Sequence, residues 1–235
     1  MGSAVVVAMD GPSGSGKSST SRGAAARLGL RYLDTGAQFR AMTVWMLGHG
    51  VDVHDPDAVA ARADEPVIVS GTDPLDPTIT LDGEDVAEAI RSTETTAAVS
   101  PVATVPAVRS RLLELQRATI AAALADGGIV VEGRDIGSVV WPEAAVKLYL
   151  TADPAARAAR RAAENGSTSV EATEADLLRR DAIDSGRTSA PLVVPEGAIH
   201  LDTTPYDLDE VIDLVVGLVE RAQDPADASS PRTPS

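Results

Sequence analysis

The stretch AVVVAMDGPSGSGKSST, residues 4–20, joins an unbroken apolar run to a loop rich in glycine and serine. An unbroken apolar run is typical of a strand buried on both faces of a parallel sheet. The loop satisfies the pattern Gly-x4-Gly-Lys-Ser from Gly11 to Ser18, and Lys17 opens a segment of helical texture that ends at Leu28. The stretch therefore predicts a strand, a phosphate-binding loop and a helix in direct succession.

This loop, called the phosphate loop below (residues 11–19), has the chemistry to hold a nucleoside triphosphate with Mg²⁺. Glycines let the backbone approach phosphates closely, with N–H groups pointing inward, and the helix N-terminus adds partial positive charge. Lys17 is placed to reach the β- and γ-phosphates, and Ser18 to offer its hydroxyl to Mg²⁺. The predicted ATP-binding residues are Gly11, Pro12, Ser13, Gly14, Ser15, Gly16, Lys17, Ser18 and Ser19.

The composition narrows the class of protein. The 235 residues carry a formal net charge of -15, which argues against nucleic acid as a partner. With no cysteine, disulfides and thiolate zinc sites are excluded. No apolar run reaches the ~18 residues of a membrane span, and no signal peptide is evident, so we expect a cytoplasmic protein. We also expect a monomer. Lys17 and Lys147 are the only lysines, so further phosphate-binding cations must be arginines.

Strands alternate with helices along the chain, which predicts an α/β fold with a parallel sheet flanked by helices. Further strands are expected in LRYLD (30–34), GIVVEG (128–133), AVKLYL (145–150) and AIHLDT (198–203). Further helices are expected over residues 37–48, 105–125 and 171–184. Two more are expected to begin at capping residues, one at Asp153 followed by Pro154 and one at the Asp207–Glu210 capping signature.

Residues 63–97 have a different texture, with short β-rich runs and an Asp82-Gly83 turn typical of a hairpin. We predict a single domain, 1–223, in which this β-rich insertion interrupts a core of 1–62 and 98–223. Residues 224–235 contain no large apolar side chain and are predicted to be a disordered tail.

Two polar segments follow predicted strands, YLDTGAQFR (32–40) and VVEGRDIG (130–137). Ligands of open α/β sheets bind at the carboxyl ends of strands, so these segments should lie beside the phosphate loop. The only asparagine is Asn165, so the Asn-Lys-x-Asp signature of a guanine reader is absent. A kinase of a small acceptor is favoured, and a nucleotide-binding module without turnover stays open.

The two segments, the phosphate loop, LDGEDVAEAIRS, VSPVATVPAVRSRLLELQR and LLRRDAIDSGRTSAPL together resemble bacterial cytidylate kinases over residues 4–216. The resemblance implies a nucleoside monophosphate kinase fold, in which the insertion binds the acceptor and a helical lid, about 153–168, closes over the triphosphate. It implies transfer of a phosphoryl group from ATP to CMP or dCMP. UMP or another small acceptor stays the alternative.

The resemblance also implies roles for individual residues. Several of these residues could instead form surface ion pairs or belong to a solvated basic face. The implied CMP-binding residues are Thr35, Arg40, Ser100, Arg109, Arg134, Asp135, Arg180, Asp184 and Arg187, of which Arg40, Arg134 and Arg187 hold the phosphate, Ser100, Arg109 and Asp135 the cytosine, and Arg180 and Asp184 the ribose. The implied catalytic residues are Lys17, Arg134, Arg157 and Arg161, the last two on a lid face shared with Arg160.

Two positions depart from the family's pattern or stay undecided. Phe39 stands where the family usually has a tyrosine, which removes a hydroxyl near the acceptor phosphate. Asp34 is expected either to orient Mg²⁺ waters or to hold an acceptor-side arginine, and the sequence does not choose between them.

Overall fold

The computed structural model describes residues 4–165, 169–186 and 192–224, without the side chains of Glu164, Asn165, Ala172, Asp176, Arg180 and Asp184. The strands formed by these residues are β1 Val5–Asp10, β2 Arg31–Asp34, β3 Ile68–Ser70, β4 Ile79–Leu81, β5 Glu84–Asp85, β6 Gly128–Glu132, β7 Val146–Thr151 and β8 Ile199–Asp202. The α-helices are α1 Lys17–Leu28, α2 Thr35–Gly48, α3 Pro56–Ala61, α4 Thr93–Thr104, α5 Pro106–Leu124, α6 Pro154–Asn165, α7 Val170–Ser185 and α8 Leu208–Gln223. A 3₁₀ turn covers Ala89–Arg91 and a π-helical turn covers Ile136–Val140.

Five strands form one sheet in the order β2-β6-β1-β7-β8, and every neighbouring pair is parallel. This confirms the predicted parallel sheet flanked by helices. Parallel pairing places the ends of β1, β2, β6 and β7 at one edge of the sheet, where the phosphate loop and the segments after β2 and β6 follow.

The central strand β1 shows why its sequence is apolar throughout. Side chains alternate between the two faces of a strand. Val7 and Met9 accordingly pack in one core cluster with α1 and α8, whereas Val6 and Ala8 pack in another with α5. The strand that leads into the phosphate loop is therefore buried on both faces.

The predicted hairpin lies in a separate antiparallel sheet, β3-β4-β5. Asp82 and Gly83 join β4 to β5 with φ angles of 52° and 90°, as a tight turn with two positive φ values requires. The backbone N–H of Tyr32 in β2 donates to the Thr72 carbonyl oxygen at 2.9 Å, and Trp45 Nε1 donates to Asp82 at 3.0 Å. These contacts fix the small sheet against β2 and α2.

The helices around the insertion differ in part from the prediction. The helix expected from about 105 to 125 is confirmed as α5, Pro106–Leu124. Helix α4, which begins at Thr93 inside the range predicted as β-rich, was not predicted. Its many β-branched residues and the internal Pro101 weaken its helical propensity, and the Ser92 cap and packing on α2 compensate. Helix α3, capped by Asp55, was also not predicted.

The start of α6 follows the predicted cap, since the Asp153 carboxylate accepts from the backbone N–H of Ala155 at 2.9 Å. The Asp207–Glu210 capping box of α8 is also confirmed. Residues 166–168 of the predicted lid, and all of the predicted tail except Asp224, lie outside the described residues. Within the described part of the chain, no helix is both long enough and apolar enough to cross a membrane.

Candidate active site

The phosphate loop connects β1 to α1 and depends on its glycines. Gly11 has a φ of 142°, and a Cβ built there would lie 2.0 Å from the carbonyl oxygen of Leu150 in β7. Gly14 has a φ of 76°, and its Cβ would meet the Arg157 carbonyl oxygen at 3.0 Å. The loop is thus held between β7 and α6 at distances that side chains would not permit.

Lys17 lies buried at the first turn of α1, where its Nζ donates to the Pro12 carbonyl oxygen at 2.7 Å. Burial and, to a smaller extent, the nearby Arg134 guanidinium lower the pKa of Lys17 to about 7, although the Glu132, Asp10 and Asp181 carboxylates oppose the shift. The charge of this ammonium therefore responds to the charges beside it. A bound phosphate would favour the protonated form.

Glu132, at the end of β6, has no predicted role, and the structure joins it to the phosphate loop. Ser18 Oγ donates to its Oε2 at 2.9 Å, and the Tyr32 hydroxyl donates to Oε1. Burial and, to a smaller extent, the Asp34 carboxylate raise the pKa of Glu132 to about 7, although the nearby Lys17 charge opposes the shift. Ser18, Glu132 and Asp34 thus place a hydroxyl and two carboxylates in one region, the hard oxygen donors that suit Mg²⁺.

The two residues after β2 have structural partners. Asp34 caps α2 by accepting from the backbone N–H of Ala37 at 3.0 Å, and Thr35 Oγ1 donates to the Glu132 carbonyl oxygen at 2.8 Å. These bonds tie the start of α2 to the end of β6. Both expected roles of Asp34 stay predictions.

Two predicted catalytic arginines reach the phosphate loop from different elements. Arg134, just after β6, donates to the Gly11 carbonyl oxygen at 2.8 Å and to Ser13 Oγ at 3.0 Å. Arg157 of α6 is buried, and its Nη1 donates to the Ser13 carbonyl oxygen at 3.0 Å and to Asp181 of α7. The structure therefore brings both guanidinium groups to the rim of the loop.

Asp10, at the end of β1, holds the turn that follows Arg134. Its two carboxylate oxygens accept from the backbone N–H groups of Ile136 and Gly137 at 2.7 and 2.8 Å. Burial raises the pKa of Asp10 to about 6, although these two hydrogen bonds oppose the shift. Because Asp10 directly precedes the phosphate loop, this anchor links the position of Asp135 to the loop.

A cavity of about 140 Å³ is lined by Arg109 and Asp135, two of the three predicted base readers. Arg109 of α5 forms an ion pair with Asp135, and the two side chains are only 12% and 9% exposed. The Arg109 guanidinium also donates to the Ala103 carbonyl oxygen at 3.2 Å and lies 5.5 Å from the centre of the Phe39 ring. A charged pair, an aromatic ring and apolar walls together suit a small planar heterocycle.

The other predicted acceptor and lid residues lie on the helices around the site. Arg40 donates to the Ile90 carbonyl oxygen and to Thr96 Oγ1, both at 3.0 Å, and so ties α2 to α4. Ser100 is buried on α4. Arg161 lies on α6, whereas its neighbour Arg160 donates to Thr203 Oγ1 at 3.0 Å and to the Thr203 carbonyl oxygen at 2.9 Å.

Three predicted site residues cannot be placed completely. Arg180 and Asp184 belong to α7, but their side chains are outside the described set, and Arg187 lies outside the described residues altogether. Their assignments therefore stay predictions. Asp181, between Arg180 and Asp184 on the same helix, was not predicted as a site residue, yet its carboxylate contacts both Arg157 and the Ser13 backbone N–H.

Comparison with known proteins identifies the family of this chain. The family model for cytidylate kinase matches residues 7–221. The chain belongs to the cytidylate kinase family. A cytidylate kinase of Streptomyces griseus is 57% identical over 218 residues, which are 93% of this chain and 94% of that protein.

Two further relatives give the same result. A cytidylate kinase of Streptomyces coelicolor is 59% identical over 217 residues, 92% of this chain and 93% of the other. One of Rhodococcus opacus is 51% identical over 215 residues, 89% of this chain and 92% of the other. The match to the family includes all the predicted site residues, and the protein is a kinase.

Proposed function

We propose that this cytidylate kinase family member transfers the γ-phosphate of ATP to CMP or dCMP and releases ADP with CDP or dCDP. The observation that carries the proposal is the buried Arg109–Asp135 pair, which lines a cavity with Phe39 at the same sheet edge as the phosphate loop. The cavity would take the acceptor base, and the loop would take the donor triphosphate.

The chemistry of the pair favours cytosine. The N4 amino group of cytosine can donate a hydrogen bond to the Asp135 carboxylate. The Arg109 guanidinium can donate to N3 and O2 of the same base. Uracil would present a carbonyl oxygen to the carboxylate, so that two acceptors would face each other. Arg109 and Asp135 therefore act together as the base reader, with Ser100 as a third contact.

The acceptor needs no general base. A phosphate monoester with a second pKa near ~6 is largely dianionic at neutral pH, so its oxygen is already a nucleophile. The chain's task is to position the two substrates in line and to neutralise their charge. Lys17, Arg134 and Arg157 supply that charge at the loop, while Arg40 and Arg187 hold the acceptor phosphate, and Arg180 and Asp184 the ribose.

The donor set at the end of β6 fits Mg²⁺ bound with ATP. Such an ion is usually held by one or two protein oxygens together with phosphates and water, so a cluster of three acidic ligands is not needed. Ser18 would bind it directly, with Glu132 and Asp34 acting through bound water. When bound, Mg²⁺ neutralises charge that develops on the transferred phosphoryl group.

In the proposed mechanism, helix α6 is the lid that closes over the triphosphate. Its Arg157 contacts the loop, and Arg161 lies one turn further along the same helix. Closure would bring these cations over the triphosphate and exclude water, which otherwise competes as the acceptor.

Calorimetric titration tests the proposal against a binding module that lacks turnover. We expect CMP to bind to the protein saturated with a non-hydrolysable ATP analogue, and UMP to bind more weakly. ATP with CMP should then yield ADP. Binding of the ATP analogue without a saturable second site for CMP would contradict the proposal.

A further inference from the structure

The carboxylate of Asp181, on α7, lies against the phosphate loop. Its Oδ1 accepts from the backbone N–H of Ser13 at 3.3 Å, and its Oδ2 accepts from Arg157 Nη1. The side chain of Asp181 is 17% exposed, and that of Arg157 is 6% exposed. An acidic group is therefore bound to one of the loop's own amides, 168 residues away in the chain.

The groups around this carboxylate are those that would bind a phosphoryl group. Arg134 donates to the side chain of the same Ser13, and Lys17 is close enough for Asp181 to raise its pKa. Backbone N–H groups, guanidinium groups and an ammonium are the donors that phosphate and carboxylate oxygens share. Asp181 and a triphosphate would therefore compete for one set of partners.

The carboxylate also neutralises a cation that has few other partners. Arg157 Nε is buried and has no hydrogen-bond partner among the described residues. An isolated buried guanidinium is costly, so the ligand-free protein needs a counterion at this position. When phosphates supply that negative charge, the adjacent Asp181 carboxylate would instead repel them.

We propose that Asp181 is a stand-in for the terminal phosphate: its carboxylate occupies the Ser13 and Arg157 donors in the ligand-free protein and leaves them when the triphosphate binds. This rests on the proposed function, since it takes the loop to bind ATP. The exchange lowers the affinity for ATP below what the loop alone would give. It also couples ATP binding to α7, the helix that carries Arg180 and Asp184.

The test is calorimetric titration of a non-hydrolysable ATP analogue into the full chain and three variants. Asp181→Asn keeps the shape of the side chain and removes its charge, and Asp181→Ala removes the competing group. Glu171→Gln is the matched control, because it removes the same charge from an exposed position on the same helix. We expect Kd to fall about ten-fold for both Asp181 variants, which corresponds to about 1.4 kcal/mol, and to stay unchanged for the control.

Circular dichroism and the melting temperature with saturating analogue show whether each variant is folded. An unchanged or higher Kd in folded Asp181→Asn and Asp181→Ala would overturn the inference and make the carboxylate a support for Arg157. Absence of binding to the unaltered protein would instead refute the proposed function.

Discussion

Replacing Asp135 by asparagine should remove the preference for cytosine. The substitution keeps the size of the side chain but presents either a carbonyl oxygen or an amino group to the base, so cytosine and uracil become nearly equivalent. A base-reading pair of this kind supplies about 1–3 kcal/mol, which is about a 5- to 150-fold ratio of kcat/KM for CMP over UMP. In Asp135→Asn this ratio should fall to within about three-fold, because no more than about 0.7 kcal/mol of discrimination should remain.

The substitution also affects stability, because Arg109 loses its partner in a site where both side chains are largely buried. Breaking a fully buried pair costs about 3–5 kcal/mol, and the retained bond to the Ala103 carbonyl oxygen and the open cavity should reduce this to about 2–3 kcal/mol. A chain of this size should then melt about 4–12 °C lower. Asp126→Asn breaks the exposed pair with Arg31 and should change neither stability nor base preference.

The assay is steady-state kinetics with CMP and UMP at saturating ATP, at a temperature well below the melting transition of the variant. Loss of discrimination with retained kcat for UMP is the expected outcome. If Asp135→Asn stays folded and prefers CMP as strongly as the unaltered protein does, the cavity does not read the base through Asp135.

Lys17→Met should lower kcat by at least about 10³-fold, because a charge aimed at the transferred phosphoryl group is lost. The melting temperature should stay unchanged or rise, because the removed ammonium is buried. Retained turnover would argue against the mechanism. Because burial lowers the pKa of Lys17 to about 7 and bound phosphates raise it again, Mg²⁺-free ATP binding at pH 8 should take up protons, and affinity should fall as pH rises above 7. Calorimetry in two buffers of different ionisation enthalpy measures this, and zero uptake would contradict it. Gly14→Ala should raise KM for ATP at least about ten-fold, since the residue has a φ of 76° and its Cβ would press on the Arg157 backbone; unchanged kinetics would show that the loop tolerates the strain.

Features encoded by neighbouring residues could be predicted from the sequence. The phosphate loop required only a buried strand, glycines and a helix start in succession, and the Asp82-Gly83 hairpin required only its turn residues. Helix α4 could not be predicted in this way, because its β-branched residues and Pro101 favour other conformations and its packing on α2 decides the outcome. Local propensity is overridden there by tertiary contacts.

The site was predictable where its residues belong to recognisable segments, and less so where function depends on distant pairs. Ser18 meets Glu132 across 114 residues, and Ser13 meets Asp181 across 168. A carboxylate that ends an otherwise apolar strand, as Glu132 does, was a usable signal. Nothing in the sequence around Asp181 separates it from the other acidic residues of α7, so only the folded chain shows its contact with the loop.

The most direct test of the account is the rate of ATP consumption with CMP, dCMP, UMP, AMP, GMP and shikimate, each at the same concentration. We predict strong turnover with CMP and dCMP, much weaker turnover with UMP, and none above background with the other three. Equal turnover with UMP and AMP, or turnover with none of the six, would contradict the assignment of Arg109 and Asp135 as the base reader.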